Sequence, residues 1–197
     1  MTTENNRQKL IAILQLAYSG ELAAAYAYRG HWHSVRRQDE REAIHTVEED
    51  EWRHRKVIGE MLGQLGASPK SHREVRATIV GRTLGVLCHV MGWLVPMYGA
   101  GKLESRNVRE YETAARYARD CGQLGFVECL LEMAEVEWDH EHYFRSCVLK
   151  HALGGRLPLW PAPPPKETIR RSYENERGGP PLSAERTCVT EQATRAV

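Results

Sequence analysis

Apolar residues recur every three or four positions through the first three quarters of the chain, which is the period of amphipathic helices. The pattern predicts four long helices, at about residues 3–36, 40–65, 74–119 and 124–152. The second ends before Gly66 and Pro69, a typical termination signal. Pro96, Gly99 and Gly101 are expected to kink the third helix or unwind it locally. No long stretch alternates with period two, so the sequence predicts an all-α protein, a four-helix bundle with short connections.

The C-terminal part of the chain has a different composition. Residues 154–197 hold seven of the nine prolines and few apolar side chains. We therefore expect two units, a helical bundle at 1–153 and a Pro/Gly-rich tail at 154–197. The tail is expected to be extended or disordered, docked through Leu157, Leu159 and Trp160.

Charge and composition limit the class of partner and the compartment. Lysine and arginine total 27 and acidic residues 26, a net charge of +1. This balance argues against a nucleic-acid-binding protein, which usually carries a basic domain. The polar N-terminus lacks the apolar stretch of a secretory signal, and the five cysteines form no CxxC pair of the kind that binds structural zinc. A cytoplasmic location is expected.

One segment is unusually apolar, because residues 84–101 contain no formally charged side chain. Eighteen residues are borderline for a membrane span, which needs about 20, and His89, Pro96 and four glycines weaken that interpretation. Burial inside the bundle is the favoured explanation. The main alternative is peripheral contact of this segment with the inner face of a membrane, through one apolar helix face.

Two predicted helices each carry one isolated carboxylate on an apolar face. Glu21 shares its face with Tyr28, and no other acidic residue occurs between positions 4 and 39. Glu104 shares its face with Met97 and Tyr111, again with no acidic neighbour for many residues. A carboxylate facing a core is costly unless it is paired or binds a cation. These two glutamates are therefore candidate metal ligands.

The other two predicted helices each carry a Glu-x-x-His pair. Glu51 with His54, and Glu137 with His140, have the spacing that places a carboxylate and an imidazole on one helix face. Apolar residues flank both pairs at core-facing positions. A further match beginning at Glu42 is expected on the solvent side, because it lies roughly 180° around the helix from Glu51.

Together these positions form the ligand set of ferritin-like dinuclear carboxylate proteins, one glutamate from each of two helices and Glu-x-x-His from each of the other two. The predicted metal ligands are Glu21, Glu51, His54, Glu104, Glu137 and His140. Four carboxylates offset the charge of two divalent cations. Oxygen-rich ligation with nitrogen and no thiolate suits two iron ions, with manganese as the alternative. Any single pair is weak evidence, and the prediction depends on all four helices matching.

The residues also resemble a known family. The segment SGELAAAYAYRG at 19–30 resembles the first-helix motif of demethoxyubiquinone hydroxylases, the diiron enzymes of ubiquinone biosynthesis. DEWRH at 50–54 and EWDH at 137–140 resemble the second and fourth helix motifs, and Glu104 followed by Tyr111 resembles the third. The resemblance covers most of residues 10–150 and implies that the six predicted ligands bind iron. It departs from the family pattern at Glu110, where the family has a histidine.

The resemblance implies a diiron monooxygenase that uses molecular oxygen to hydroxylate an apolar aromatic or quinone-type substrate. Tyr28 and Tyr111 flank the expected site as candidate catalytic residues, and with Met97 and residues 84–101 they are candidates to line a substrate channel. The electron donor is unidentified, and a homo-oligomer is an open option. A rubrerythrin-like peroxidase or a ferritin-like iron-binding protein would use the same six ligands. A non-enzymatic helical interaction module is the third hypothesis.

Overall fold

The computed structural model describes residues 2–175, and within that range it contains helices and loops but no strand. The helices are α1 Thr3–Ser34, α2 Gln38–Gln64, α3 Ser71–Cys88, α4 Leu94–Asp120, α5 Leu124–Lys150 and α6 Glu167–Asn175, with a 3₁₀ turn at Gly154–Arg156. The predicted all-helical bundle is confirmed.

Two helical hairpins build the bundle. Three residues join α1 to α2, and three join α4 to α5, so each pair is antiparallel. The hairpins pack together through contacts of α1 with α4 and of α2 with α5, while α3 connects them and packs against α1. This arrangement directs one face of each of the four bundle helices toward a common interior.

The predicted third helix is wrong as a single element, because the structure divides it into α3 and α4. Residues 89–93 are not helical, and Gly92 has a φ of 74°, a backbone conformation that favours glycine. Pro96 lies in the first turn of α4, where a missing N–H breaks no helical hydrogen bond, so it causes no kink. Gly99 and Gly101 are helical as well. A Cβ at Gly101 would lie 2.4 Å from the ring of Trp160, so close packing is what requires glycine there.

The prediction that residues 84–101 are buried inside the bundle is also wrong. Leu84, Val86, Val90, Met91 and Val95 are all exposed, with Val90 at 75%. The helical break between α3 and α4 removes the interpretation as a membrane span. Among the described helices, only α1 is long and apolar enough to cross a membrane, and half of its apolar window is buried inside the protein. That is the pattern of a core helix and only weak evidence for a span.

The first part of the predicted tail packs on the bundle. Trp160 is buried, its indole N–H donates to Glu141 over 2.7 Å, and Leu157 and Leu159 pack beside it. Helix α6, which the sequence analysis did not predict, buries Ile169 and Tyr173. Residues 176–197, the rest of the predicted tail, lie outside the described residues.

The apolar core falls into two clusters. One includes Leu10, Leu14 and Tyr111, and the other includes Tyr28, Met97 and Phe144. Buried carboxylates and imidazoles of the four bundle helices accompany these clusters. The fold therefore positions polar side chains from four helices inside an otherwise apolar interior.

Candidate metal centre

The structure brings all six predicted ligands together. They are buried, and Glu51, Glu104 and Glu137 are fully so. Their ligand atoms form two groups, each with all atoms within 4.8 Å of one another. One group is Glu21, Glu51, His54 and Glu137, and the other is Glu51, Glu104, Glu137 and His140. The arrangement offers two adjacent four-residue cation sites.

Glu51 and Glu137 belong to both groups, so each stands where a carboxylate could bridge two cations. Each histidine approaches the shared glutamate of the opposite helix, and His140 also lies near Glu137 on its own helix. His54 Nδ1 lies 3.0 Å from Glu137 Oε1, and His140 Nδ1 lies 3.7 Å from both Glu51 Oε1 and Glu137 Oε2. Each Glu-x-x-His pair thus supplies one shared glutamate and one histidine, which is the consequence of its one-turn spacing.

Unpartnered polar atoms mark this interior. Five of the six side chains have buried atoms that take part in no hydrogen bond: Glu21 Oε2, both oxygens of Glu51, His54 Nδ1, Glu137 Oε1 and His140 Nδ1. The 3.0 Å approach of His54 to Glu137 therefore lacks hydrogen-bond geometry. A buried polar group without a partner costs about 1–3 kcal/mol. Several such groups facing one space fit a site that binds cations.

Four further side chains hold the ligands in place. The hydroxyl of Tyr28 donates to Glu104, and that of Tyr111 donates to Glu21. The amide of Asn107 donates to Glu104 Oε2 over 2.8 Å and reaches Glu137 Oε2 at 3.5 Å. Asp50 Oδ2 lies 3.0 Å from His140 Nε2. The contact with Asp50 leaves His140 Nδ1 facing the carboxylates, as expected when a carboxylate fixes the tautomer of a metal-binding imidazole.

Sequence analysis assigned no role to Asp50 or Asn107. Both stand at positions that helix geometry makes informative, because Asp50 directly precedes Glu51 and Asn107 follows Glu104 by one turn. Glu42 was predicted to lie on the solvent side of its helix, and the structure confirms that it is exposed. Tyr28 and Tyr111 flank the ligands as expected.

Burial and mutual repulsion dominate the electrostatics. Burial raises the pKa values of Glu21, Glu51 and Glu104, and for Glu51 and Glu104 the charge of Glu137 adds to the increase. Burial alone would also raise the pKa of Glu137, but contacts with His140 and His54 lower it overall. Contacts with Glu137 raise the pKa of His140 despite its burial. Without cations, burial and mutual repulsion therefore oppose the ionisation of Glu21, Glu51 and Glu104.

Glu110 stands next to Tyr111 at the position where the sequence departs from the family pattern. It is partly buried, and burial together with the charges of Glu21 and Glu137 raises its pKa to about 7. At neutral pH this carboxyl is therefore near its midpoint, as an unperturbed histidine would be.

An apolar cavity of about 340 Å³ lies beside the candidate metal centre. Its lining is almost entirely aliphatic and comes from α1, α3, α4 and the loop between α3 and α4, with Tyr28 and His31 as the aromatic residues. Met97 and Tyr111, also expected to line a channel, do not line it. A larger cavity of about 850 Å³ adjoins it and shares His31, Cys88 and Pro96.

Comparison with known proteins identifies the family. The family model of ubiquinone biosynthesis protein COQ7 matches residues 8–113, more than half of the chain. The matched region spans α1 to α3 and most of α4, and it includes Glu21, Glu51, His54 and Glu104. No curated protein and no solved structure matches the chain significantly. The chain belongs to the COQ7 family of ubiquinone biosynthesis enzymes, the demethoxyubiquinone hydroxylase family.

Proposed function

We propose that this protein is an oxygen-activating diiron monooxygenase with a ferritin-like bundle, and that it hydroxylates an apolar quinone-type ring. The observation that carries the proposal is the convergence of six buried side chains, five of which offer polar atoms with no protein partner. The family supports a hydroxylase-like role in ubiquinone biosynthesis.

The side chains divide naturally between two cations. Glu21 and His54 would hold one, Glu104 and His140 would hold the other, and Glu51 and Glu137 would be shared. Four carboxylates balance two divalent charges, and the donor set of oxygen and imidazole nitrogen suits iron or manganese. Bound iron would supply the reduction of oxygen. The hydroxyls of Tyr28 and Tyr111 would orient the carboxylates of Glu104 and Glu21.

The adjoining cavity favours an organic substrate. Its volume of about 340 Å³ falls within the range of small-molecule sites, about 300–1,000 Å³, and its lining suits an apolar ring. Tyr28 lines this cavity while its hydroxyl contacts Glu104, so the cavity and the candidate metal centre share a wall. A peroxidase or an iron-storage protein needs no such apolar cavity, and this observation favours the hydroxylase over those alternatives.

The exposed apolar surface supports peripheral membrane contact from the cytoplasmic side. Leu84, Met91 and Val95 are exposed and also line the cavity. Exposed apolar side chains bind the interfacial region of a membrane with a strength that grows with the apolar area they bury there. A lipid-soluble substrate could then enter directly from the membrane.

Product analysis with isotopic oxygen tests the proposal. The iron-loaded protein is reduced by a chemical electron donor and supplied with ¹⁸O₂ and a short-chain demethoxyubiquinone. Mass spectrometry should detect one ¹⁸O atom in a hydroxylated ring, and the Glu51→Ala and Glu137→Ala variants should give none. Turnover of hydrogen peroxide without ring hydroxylation would support the peroxidase instead. A folded protein that takes up no metal would support the interaction module.

A further inference from the structure

The larger cavity, of about 850 Å³, has no role in the proposed chemistry. The end of α1 and the start of α2 form one side of it, the end of α5 forms another, and the loop between α3 and α4 completes it. Its volume is within the range of small-molecule sites, about 300–1,000 Å³. In contrast to the apolar cavity beside it, its lining carries several charged side chains. These features fit the polar part of a ligand.

The two carboxylates of this lining already have partners. Asp39 accepts hydrogen bonds from the guanidinium of Arg37, and Glu40 accepts the indole N–H of Trp93 over 2.9 Å. Glu40 also lies 3.7 Å from the guanidinium of Arg37. The positive charge of Arg37 is therefore balanced within the lining itself.

Two further cations of the lining, Arg36 and Lys150, are not balanced in this way. Both side chains are exposed, and neither takes part in a hydrogen bond or an ion pair within residues 2–175. Burial raises the pKa of the Cys147 thiol, another group of the lining, and the charge of Lys150 opposes that increase. The ammonium group of Lys150 therefore lies close to the cavity. Unpaired cations around one cleft favour an anionic ligand.

An exposed apolar surface borders the same cavity. Residues 88–96 supply one wall of the cavity and also carry the exposed side chains of Val90, Met91 and Val95. A ligand in the cavity therefore lies at the edge of an apolar face, where hydrocarbon chains attached to it could continue.

The charge pattern along α3 and into α4 indicates the same class of ligand. No acidic residue occurs between Glu74 and Glu104, a stretch that contains Arg76, Arg82 and Lys102, all of them exposed. An apolar face accompanied only by basic charges binds anionic membranes in preference to neutral ones. The face and the cavity together match a molecule with an anionic head and apolar chains.

We propose that the larger cavity binds the phosphate headgroup of an anionic phospholipid through Arg36 and Lys150, while the acyl chains lie along the exposed apolar side chains of residues 84–95. This inference deepens the membrane contact of the proposed function and rests on it. The two cavities share Cys88 and Pro96 in their linings. A lipid bound in the larger cavity would therefore hold the apolar cavity next to the membrane.

Two binding measurements on the full chain test this assignment. Flotation with phosphatidylcholine vesicles, with and without phosphatidylglycerol, measures binding to neutral and anionic membranes. Titration calorimetry with dihexanoylphosphatidylglycerol below its critical micelle concentration measures binding of a single soluble lipid, and inorganic phosphate is the comparison for a free anion.

The variants are Arg36→Gln, Lys150→Gln and the double variant that combines them. The matched control is a double variant with Lys56→Gln and Arg171→Gln, which removes two exposed cations of α2 and α6 that do not line the cavity. Both double variants change the net charge equally. Melting temperatures check that each variant is folded.

The parent should bind vesicles with phosphatidylglycerol more tightly than pure phosphatidylcholine vesicles, and it should take up a single soluble anionic lipid per chain. Each cavity variant should weaken binding to the anionic vesicles about fivefold, and the double cavity variant about twentyfold, because each cation near the headgroup contributes separately. The control double variant should weaken this binding less than about threefold, since its charges are distant from the headgroup and screened by salt.

Equal losses in the cavity and control double variants would show that only the overall charge attracts the membrane. That result would overturn the lipid site and leave the proposed membrane contact intact. Inorganic phosphate that binds as tightly as the soluble lipid would assign the cavity to a free anion, and would also contradict the inference. A parent that binds neither kind of vesicle would overturn both the lipid site and the membrane contact, whereas ring hydroxylation tests the proposed reaction separately.

Discussion

Without metal, the Glu51→Leu variant should be more stable than the parent. With metal bound, the variant should be less stable than the parent. Glu51 is fully buried and neither of its oxygens takes part in a hydrogen bond. Its pKa is raised by burial and by neighbouring carboxylates. Glu51 and Glu21 lie side by side and can bond to each other only when one of them carries a proton. The Glu51 side chain therefore lowers the free energy of unfolding when cations are absent and serves as a ligand when they are present.

The magnitude follows from the unpaired oxygens. Removing a buried carboxyl group without partners should increase the free energy of unfolding by about 2 kcal/mol. For a chain of this size the melting temperature should rise by about 4–8 °C. Metal at 100 times its dissociation constant should add about 2.7 kcal/mol to the parent and almost nothing to the Glu51→Leu variant. The order of the two melting temperatures should therefore reverse on metal addition.

Differential scanning calorimetry under anaerobic conditions, with and without ferrous iron, measures both states. Glu48→Leu is the matched control, because Glu48 is a buried glutamate on the same helix but accepts hydrogen bonds from Arg29, Trp32 and Trp52. Its loss should lower the melting temperature by a similar amount with or without iron. If Glu51→Leu destabilises the metal-free protein as Glu48→Leu does, the unpaired carboxylates are not a cation site.

Three other perturbations give distinct results. Burial lowers the pKa of His31 to about 4, below the value of about 6.5 expected for the unfolded chain. Between pH 7 and pH 4.5 the parent should therefore lose about 2 kcal/mol of stability relative to His31→Phe, which melting curves at the two pH values measure. Trp160→Ala should reduce the free energy of unfolding by about 3–4 kcal/mol in urea titrations, because a buried indole is lost beside Gly101, while leaving the metal content unchanged. Gly30→Ala should displace α3, because its Cβ would lie 2.3 Å from the backbone of Gly85. A flotation assay with phosphatidylcholine vesicles should then show reduced binding. Unchanged binding would show that membrane contact does not depend on the position of α3.

Helical periodicity was sufficient to predict the bundle and the faces of its helices. The six ligands could be proposed because a core-facing carboxylate is rare, and isolated glutamates such as Glu21 are conspicuous on apolar stripes. Asp50 and Asn107 were missed because their polar side chains are equally typical of solvent-exposed helix positions. Their role depends on the distance to His140 and Glu104, which only the packing of separate helices determines.

Two errors have a common physical origin. The continuous apolar pattern through residues 84–101 predicted one helix and a buried segment, but pattern alone does not distinguish a core face from a face directed outward. The decisive features were the positive φ at Gly92 and the packing of α3 mainly against one helix, α1, which leaves much of its surface uncovered. Helix α6 was missed because it is short and polar, and it is held by two buried side chains, Ile169 and Tyr173, and by ion pairs of Arg170 with Glu128 and Glu135.

Elemental analysis of the protein expressed with iron tests the central claim most directly. The parent should contain about two iron ions per chain, and the Glu51→Ala and Glu137→Ala variants should each lose most of them, because both side chains belong to both cation sites. Iron retained at the parent level by both folded variants, or a folded parent that takes up no iron or manganese, would contradict the account.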